Sequence, residues 1–159
     1  MGKQDSATLT ALKGAIVVAL AKANLHEWRD LICALCEFHF ASRAFEASRQ
    51  SAQELIEFAR AQQHNGGYAQ GLVWLGKSHV ELGKTAEGLA SLHEALVFAQ
   101  TNRYHHVQID AHRALQRAYA TAGDEEQSAQ HRSAAEALID QIRENLKDRP
   151  ELLIGLHTL

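Results

Sequence analysis

The stretch Leu72-Val73-Trp74-Leu75-Gly76-Lys77-Ser78-His79-Val80-Glu81-Leu82-Gly83-Lys84 decides the fold. Its apolar residues Leu72, Val73, Leu75, Val80 and Leu82 recur at roughly helical spacing, which predicts a helix from Tyr68 to Leu82. Gly83 follows as a glycine just past a helix end should. After a turn at Lys84-Thr85, with Thr85 as the expected N-cap, Leu89, Leu92, Leu96 and Ala99 form one stripe of a second helix. The stretch therefore reads as one helical hairpin.

The hairpin repeats. Shifted by 40 residues, Leu35 falls on Leu75, Leu75-Gly76-Lys77 on Leu115-Gln116-Arg117, and Glu81-Leu82-Gly83-Lys84 on Thr121-Ala122-Gly123-Asp124. Glu54-Leu55-Ile56-Glu57-Phe58-Ala59-Arg60 falls on Glu94-Ala95-Leu96-Val97-Phe98-Ala99-Gln100, with Glu, Phe and Ala identical. Self-similarity at such a period is the signature of a stacked array, in which no unit buries its apolar face alone. The reading is an N-terminal helix over about 6–23, hairpins over 27–64, 67–102 and 104–147, and a short capping helix over 150–157. Asp5 or Ser6 is the expected cap of the first helix, Ser42 of the helix after the turn Ala41-Ser42-Arg43, and Asp124 of the last. Asn65-Gly66-Gly67 is read as the break that separates the first hairpin from the second, and no linker divides what reads as one domain over 1–159. The chain would then open on the back half of a repeat. It would close with Leu152, Leu153 and Leu156 covering the last hairpin, Pro150 standing at the first helical position.

Composition agrees. The 159 residues hold 46% hydrophobic and 22% charged residues, a globular balance, and one proline, which is too few breakers for a turn-rich β fold. A net charge of −3 argues against a general nucleic-acid binder. The longest apolar run, Ala15 to Ala21, is too short for a membrane span, and it lacks the basic n-region and clear cleavage site of a signal peptide. Two cysteines without an export signal fit a reducing cytoplasm.

These units resemble tetratricopeptide repeats. The middle one carries Leu72-x2-Leu75-Gly76-x2-His79, the turn Glu81-Leu82-Gly83-Lys84, and Gly88, Leu92 and Ala95 at the small, bulky and alanine positions. The third keeps Leu115, Tyr119, Gly123-Asp124, Ser128 and Ala135 but has Arg132 at the bulky position. The first keeps Leu35, His39, Ser48, Ala52 and Leu55. HEAT and armadillo arrays also have a period near 40, but the Leu-Gly and Gly-Asp pattern favours the tetratricopeptide kind. The period of 40 and the missing closing proline depart from the family and look like the arrays of bacterial regulatory proteins. The resemblance implies an all-α, right-handed solenoid of antiparallel hairpins. The expected core is Leu35, Leu55, Phe58, Leu72, Leu75, Leu89, Leu92, Leu96, Phe98, Leu115, Tyr119 and Leu138.

No catalytic constellation is evident. Cys33-Ala34-Leu35-Cys36 lies inside a helix and lacks a second ligand pair, so it reads as packing. Ten histidines, with His105, His106 and His112 grouped, match no metal-ligand spacing. No metal, cofactor or enzymatic activity is expected. What remains is the groove that the resemblance implies along the first helices. Its positions are Asp30, Cys33, Glu37, Phe40 and Ala41; then Gln70, Val73, Lys77, Val80 and Glu81; then Asp110, Arg113, Arg117, Ala120 and Thr121. Lys77, Arg113 and Arg117 would form a basic patch that favours an acidic ligand, with affinity from Val73, Val80 and Phe40. Against this stands the solvated face that an Asp110–Arg113 ion pair would leave. The expected function is a non-catalytic protein-interaction module binding a peptide or protein surface in the groove. The alternative is an oligomerisation or regulatory segment of a larger bacterial signalling or transcription-regulatory protein, with homo-oligomers as its products. Neither nucleic acid nor a membrane is an expected partner.

Overall fold

The computed structural model describes residues 3–147. Among them it holds seven helices and no strand: α1 (Lys3–Ala21), α2 (Leu25–Ala41), α3 (Phe45–Ala61), α4 (Asn65–Glu81), α5 (Thr85–Thr101), α6 (His105–Ala122) and α7 (Glu125–Asn145). From α3 onward each helix starts 20 residues after the one before it. Consecutive helices pack on each other, and α4 also packs on α2 and α6. The chain is an all-α array of helical hairpins.

Every turn is built the same way. One residue takes the left-handed backbone conformation at Ala23, Arg43, Gln63, Gly83, Arg103 and Gly123, with φ between +52° and +81°. The next residue sends its N–H back five positions: Asn24 to the Ala19 carbonyl (3.0 Å), Ala44 to His39 (2.8 Å), His64 to Ala59 (2.8 Å), Lys84 to His79 (2.8 Å), Tyr104 to Ala99 (2.9 Å) and Asp124 to Tyr119 (2.9 Å). This double-bonded helix ending satisfies carbonyls that a helix terminus otherwise leaves unpaired. The same residue is the N-cap of the following helix. Asn24 and Asp124 cap through side-chain oxygens and His64 through its ring Nδ1, whereas Ala44, Lys84 and Tyr104 supply no side-chain cap.

Several boundaries therefore differ from the sequence reading. Ser42 closes α2 and caps nothing, because the left-handed residue is Arg43 and the N-cap is Ala44. Thr85 lies inside α5, behind Lys84. Helix α1 begins before Asp5 and Ser6, so neither caps it. Asn65-Gly66-Gly67 is no break but the first turn of α4; Gly67 is small there because a Cβ would stand 3.0 Å from the His64 ring and 3.3 Å from Ala59 Cβ. The hairpins consequently run 25–61, 65–101 and 105–145, and the first helix ends at Ala21. The expected capping helix at 150–157 lies outside the described residues.

The core forms two clusters. One joins Ile56, Leu72, Val73, Leu92, Leu96, Val107 and Leu115; the other joins Ile16, Trp28, Ile32, Leu35, Cys36 and Leu55. Of the expected core, Leu35, Leu55, Leu72, Leu92, Leu96 and Leu115 are buried, and Phe58, Leu75, Leu89, Phe98, Tyr119 and Leu138 are half-buried. Buried serines bridge the first two hairpins: the Ser78 hydroxyl donates to Ser48 Oγ (3.1 Å), which donates to the Cys36 carbonyl (3.1 Å). Helices α4 and α5 approach most closely at Gly76 and Gly88. A Cβ on Gly76 would stand 2.6 Å from Leu92 Cγ and 2.9 Å from the Gly88 carbonyl.

Two outcomes follow from this geometry. Gly76→Ala has no room to relax against backbone, so denaturant unfolding is expected to show a loss of about 1–3 kcal/mol. The left-handed turns separate cleanly from packing: Gly83 has no neighbour within 4 Å of its would-be Cβ, and Arg43 is exposed. Gly83→Ala is expected to cost about 1 kcal/mol and Arg43→Gly to gain roughly 0.5 kcal/mol, each read from the urea midpoint at unchanged m-value.

Candidate functional site

The repeated turn keeps helix length and phase constant, so residues 40 apart share one face of α2, α4 and α6. These faces line a pocket of about 610 Å³. From α2 come Arg29, Asp30, Cys33, Ala34, Glu37 and Phe40. From α4 come Gly66, Gln70, Val73, Trp74, Lys77, Val80 and Glu81. From α6 come His106, Asp110, Arg113, Ala114, Arg117, Ala118 and Thr121. The expected groove positions are thus brought together, except Ala41 and Ala120, which do not line it.

Two roles change. Val73 is 2% exposed and forms buried floor, so it has little surface to give a ligand. Trp74, which the sequence reading missed, supplies the larger apolar surface. It stands in the row Ala34–Trp74–Ala114, where alanines on both sides leave room for the indole. Phe40 lies 6.0 Å from Trp74 and 5.2 Å from Phe45, ring centre to ring centre. The available signal was that the middle repeat alone is bulky in this row.

Electrostatically the pocket is mixed. Four cations (Arg29, Lys77, Arg113, Arg117) face four carboxylates (Asp30, Glu37, Glu81, Asp110). Their pairing is unequal. Arg29 binds Asp30 at 2.5 Å, and Gln70 donates to the Asp110 carboxylate at 3.4 Å. Lys77, Arg113 and Arg117 make no ion pair among the described residues. The expected alternative, an Asp110–Arg113 pair, does not form. The Lys77 ammonium instead sits 3.5 Å from the Trp74 ring centre and 5.0 Å from that of Phe40, a cation–π arrangement. Burial lowers its pKa; Asp110 and Glu37 oppose that shift and Arg117 reinforces it. The half-buried stem of Lys77 thus carries a charge that nothing nearby neutralises directly.

The cysteines have no reactive setting. Cys36 is fully buried and Cys33 half-buried, and both are reduced. Burial pushes the Cys33 thiol up to about 12 and raises that of Cys36 as well. His106 faces the pocket, and burial lowers its pKa against the pull of Asp110. Among the described residues no group of three or more His, Cys, Asp or Glu side chains is arranged to hold a metal, and no helix is long and apolar enough to cross a membrane. Compared with known proteins, the sequence matches no family model and no curated protein.

Thiolate is the reactive form of cysteine, so these thiols should be nearly inert in the fold. Iodoacetamide at pH 8 is expected to modify Cys33 and Cys36 at least about a hundredfold more slowly than in the urea-unfolded chain. Mass spectrometry of quenched samples measures this, and equal rates in both states would show that the fold does not suppress the thiolates.

Proposed function

We propose that the chain is a non-catalytic protein-interaction module, a tetratricopeptide-like array that holds an extended acidic segment of a partner protein in the groove of α2, α4 and α6. The observation that carries this reading is the convergence of Lys77, Arg113 and Arg117, none of them ion-paired among the described residues, beside the aromatic surface of Trp74 and Phe40. Elsewhere on the array Arg29, Arg49 and Arg143 each have a carboxylate partner. Arginine forks suit carboxylates through bidentate hydrogen bonds. Because Arg29 already satisfies Asp30, Glu37 is the carboxylate at the first repeat left to repel an acid. An extended ligand is therefore oriented with its acidic end at the third repeat. Charge sets this direction and the on-rate, while Trp74, Phe40 and Val80 provide most of the affinity. Two reduced cysteines within one helix suit the cytoplasm.

The test is a fluorescent acidic peptide carrying one aromatic anchor, titrated against the full chain. Arg113→Glu with Arg117→Glu is expected to weaken binding at least about tenfold, since each shielded charge-assisted contact contributes roughly 1.5 kcal/mol or more. Circular dichroism should be unchanged, because neither arginine is in the core. Binding that is indifferent to both the double variant and to salt up to physiological strength would reduce the arginines to a solvated face.

A second reading, self-association, draws on α1. Phe58 of α3 packs against Trp28 of its own hairpin, with ring centres 3.9 Å apart, and Phe98 of α5 meets Tyr68 of its own edge to face at 5.1 Å. The equivalent residue of α1 is Val18, which is 49% exposed beside Val17 at 65%. A second copy covering this face would place Val18 as Phe58 and Phe98 are placed. Light scattering of the full chain decides it: a dimer that Val18→Glu dissociates supports this reading, and a monomer at high concentration removes it.

A further inference from the structure

The third hairpin departs from the other two at a core position. Forty residues apart stand Ile32, Leu72 and His112; the first two are buried aliphatic side chains, at 2% and 4% exposure. The partner that makes an imidazole tolerable there is also particular to this hairpin. His131 of α7 falls on Ser51 and Ser91, and its Nδ1 lies 2.9 Å from His112 Nδ1. The His131 ring lies parallel to Tyr119, 8° between planes and 5.5 Å between centres. Tyr119 in turn hydrogen-bonds His93 Nε2 of α5 at 2.9 Å. His93 and His131 are 5.8 Å apart, ring centre to ring centre.

An Nδ1–Nδ1 hydrogen bond needs one nitrogen bearing hydrogen and one bare. A neutral pair meets that requirement, and so does a pair carrying one extra proton on an outer Nε2. A doubly cationic pair cannot, because two N–H groups then point at each other. We propose that His112 and His131 form a proton-operated latch between α6 and α7, holding while at most one ring is cationic and loosening α7 when both are.

Three further observations fit a latch. Helix α7 buries Ser128, Ala135 and Ile139, whereas α3 buries six residues, so α7 has less apolar packing to hold it when the pair fails. No carboxylate lies within ion-pairing distance of either ring among the described residues, so nothing stabilises the second charge. The charges that bear on His112 are His131 and His93, and the one that bears on His131 is His93, with Tyr119 the other titratable group in contact. Burial lowers the pKa of both rings and the neighbouring imidazoles lower it further. The sign follows directly. The folded state favours the neutral rings, so their stabilisation is complete above the ordinary imidazole value of 6.5 and is lost as pH falls below it.

Amide hydrogen exchange of the full chain at pH 7.5 and 5.5, corrected for intrinsic rates, tests the proposal. The partner variant is His112→Leu with His131→Ser, which restores the residues that the second hairpin carries at both places. One extra bound proton changes an opening equilibrium by up to about tenfold per pH unit. In the wild type, residues 125–145 are expected to lose protection at least about tenfold more than residues 65–101 on acidification; in the double variant the two segments should fall together. Other buried histidines make some overall acid sensitivity common to both proteins, so the ratio of the segments is the readout. A wild-type ratio that does not move, or moves equally in the variant, overturns the latch. Histidine NMR titration of the wild type gives an arm that needs no variant: His112 and His131 should titrate in two steps at least about one unit apart, and coincident titration near 6.5 would overturn it.

Discussion

The array depends on one backbone device, the left-handed residue that ends each helix. Placing it at 23, 43, 63, 83, 103 and 123 closes α1 to α6 with the same pair of backbone bonds and hands the chain to the next helix after two or three residues. A turn so short forces successive helices antiparallel. Identical turns and nearly identical helix lengths then carry the same rotation from hairpin to hairpin, so α2, α4 and α6 present equivalent faces in rows 40 residues apart. The groove is a consequence of that regularity. Four of the six positions carry a side chain, and each such residue costs about 1–2 kcal/mol of local strain that neighbouring packing must offset.

The central hairpin turns on Gly83 and carries no such strain within it. Gly76 and Gly88 let α4 and α5 approach until backbone meets side chain and backbone. In the first hairpin Cys36 and Ser48 hold those places, and a serine hydroxyl donating to the Cys36 carbonyl replaces direct contact. In the third they are Gln116 and Ser128, with the histidine pair nearby. The tightest crossing thus underlies Trp74 and Lys77, at the middle of the pocket, while Arg113 and Arg117 ride on a helix whose outer neighbour α7 buries fewer residues.

What could be read from the sequence follows from which features repeat. The hairpins and their period were legible because Leu35, Leu75 and Leu115 recur at one spacing, and the rows Asp30–Gln70–Asp110 and Glu37–Lys77–Arg117 came with them. Turns at Gly83 and Gly123 were legible because glycine favours a positive φ. The turn at Ala41-Ser42-Arg43 and the break at 103 were also placed, but no residue preference marks Arg43, Gln63 or Arg103 as left-handed, so the caps and boundaries beside them slipped. Gly66 and Gly67 misled in the opposite direction. They read as the break between two hairpins, yet they open α4, and Gly67 is small to admit the capping His64 ring and Ala59. Trp74 escaped notice because it lies one residue off the row that analogy selects.

The charge pattern of the groove follows from the same regularity. In the row Glu37–Lys77–Arg117 a carboxylate and two cations stand at equivalent places on adjacent helices, yet the lysine bends onto Trp74 and Phe40 instead of reaching the glutamate. An ammonium over an indole face keeps part of its solvation through the ring quadrupole, which makes partial burial tolerable without an anion. It also leaves the charge uncancelled, so the positive field of Lys77 adds to that of Arg117 at the third-repeat end of the pocket. Had Lys77 paired with Glu37, those two charges would cancel and Arg113 and Arg117 alone would give the groove its electrical direction. The aromatic row that the neighbouring alanines make room for is therefore what keeps the basic end of the groove basic.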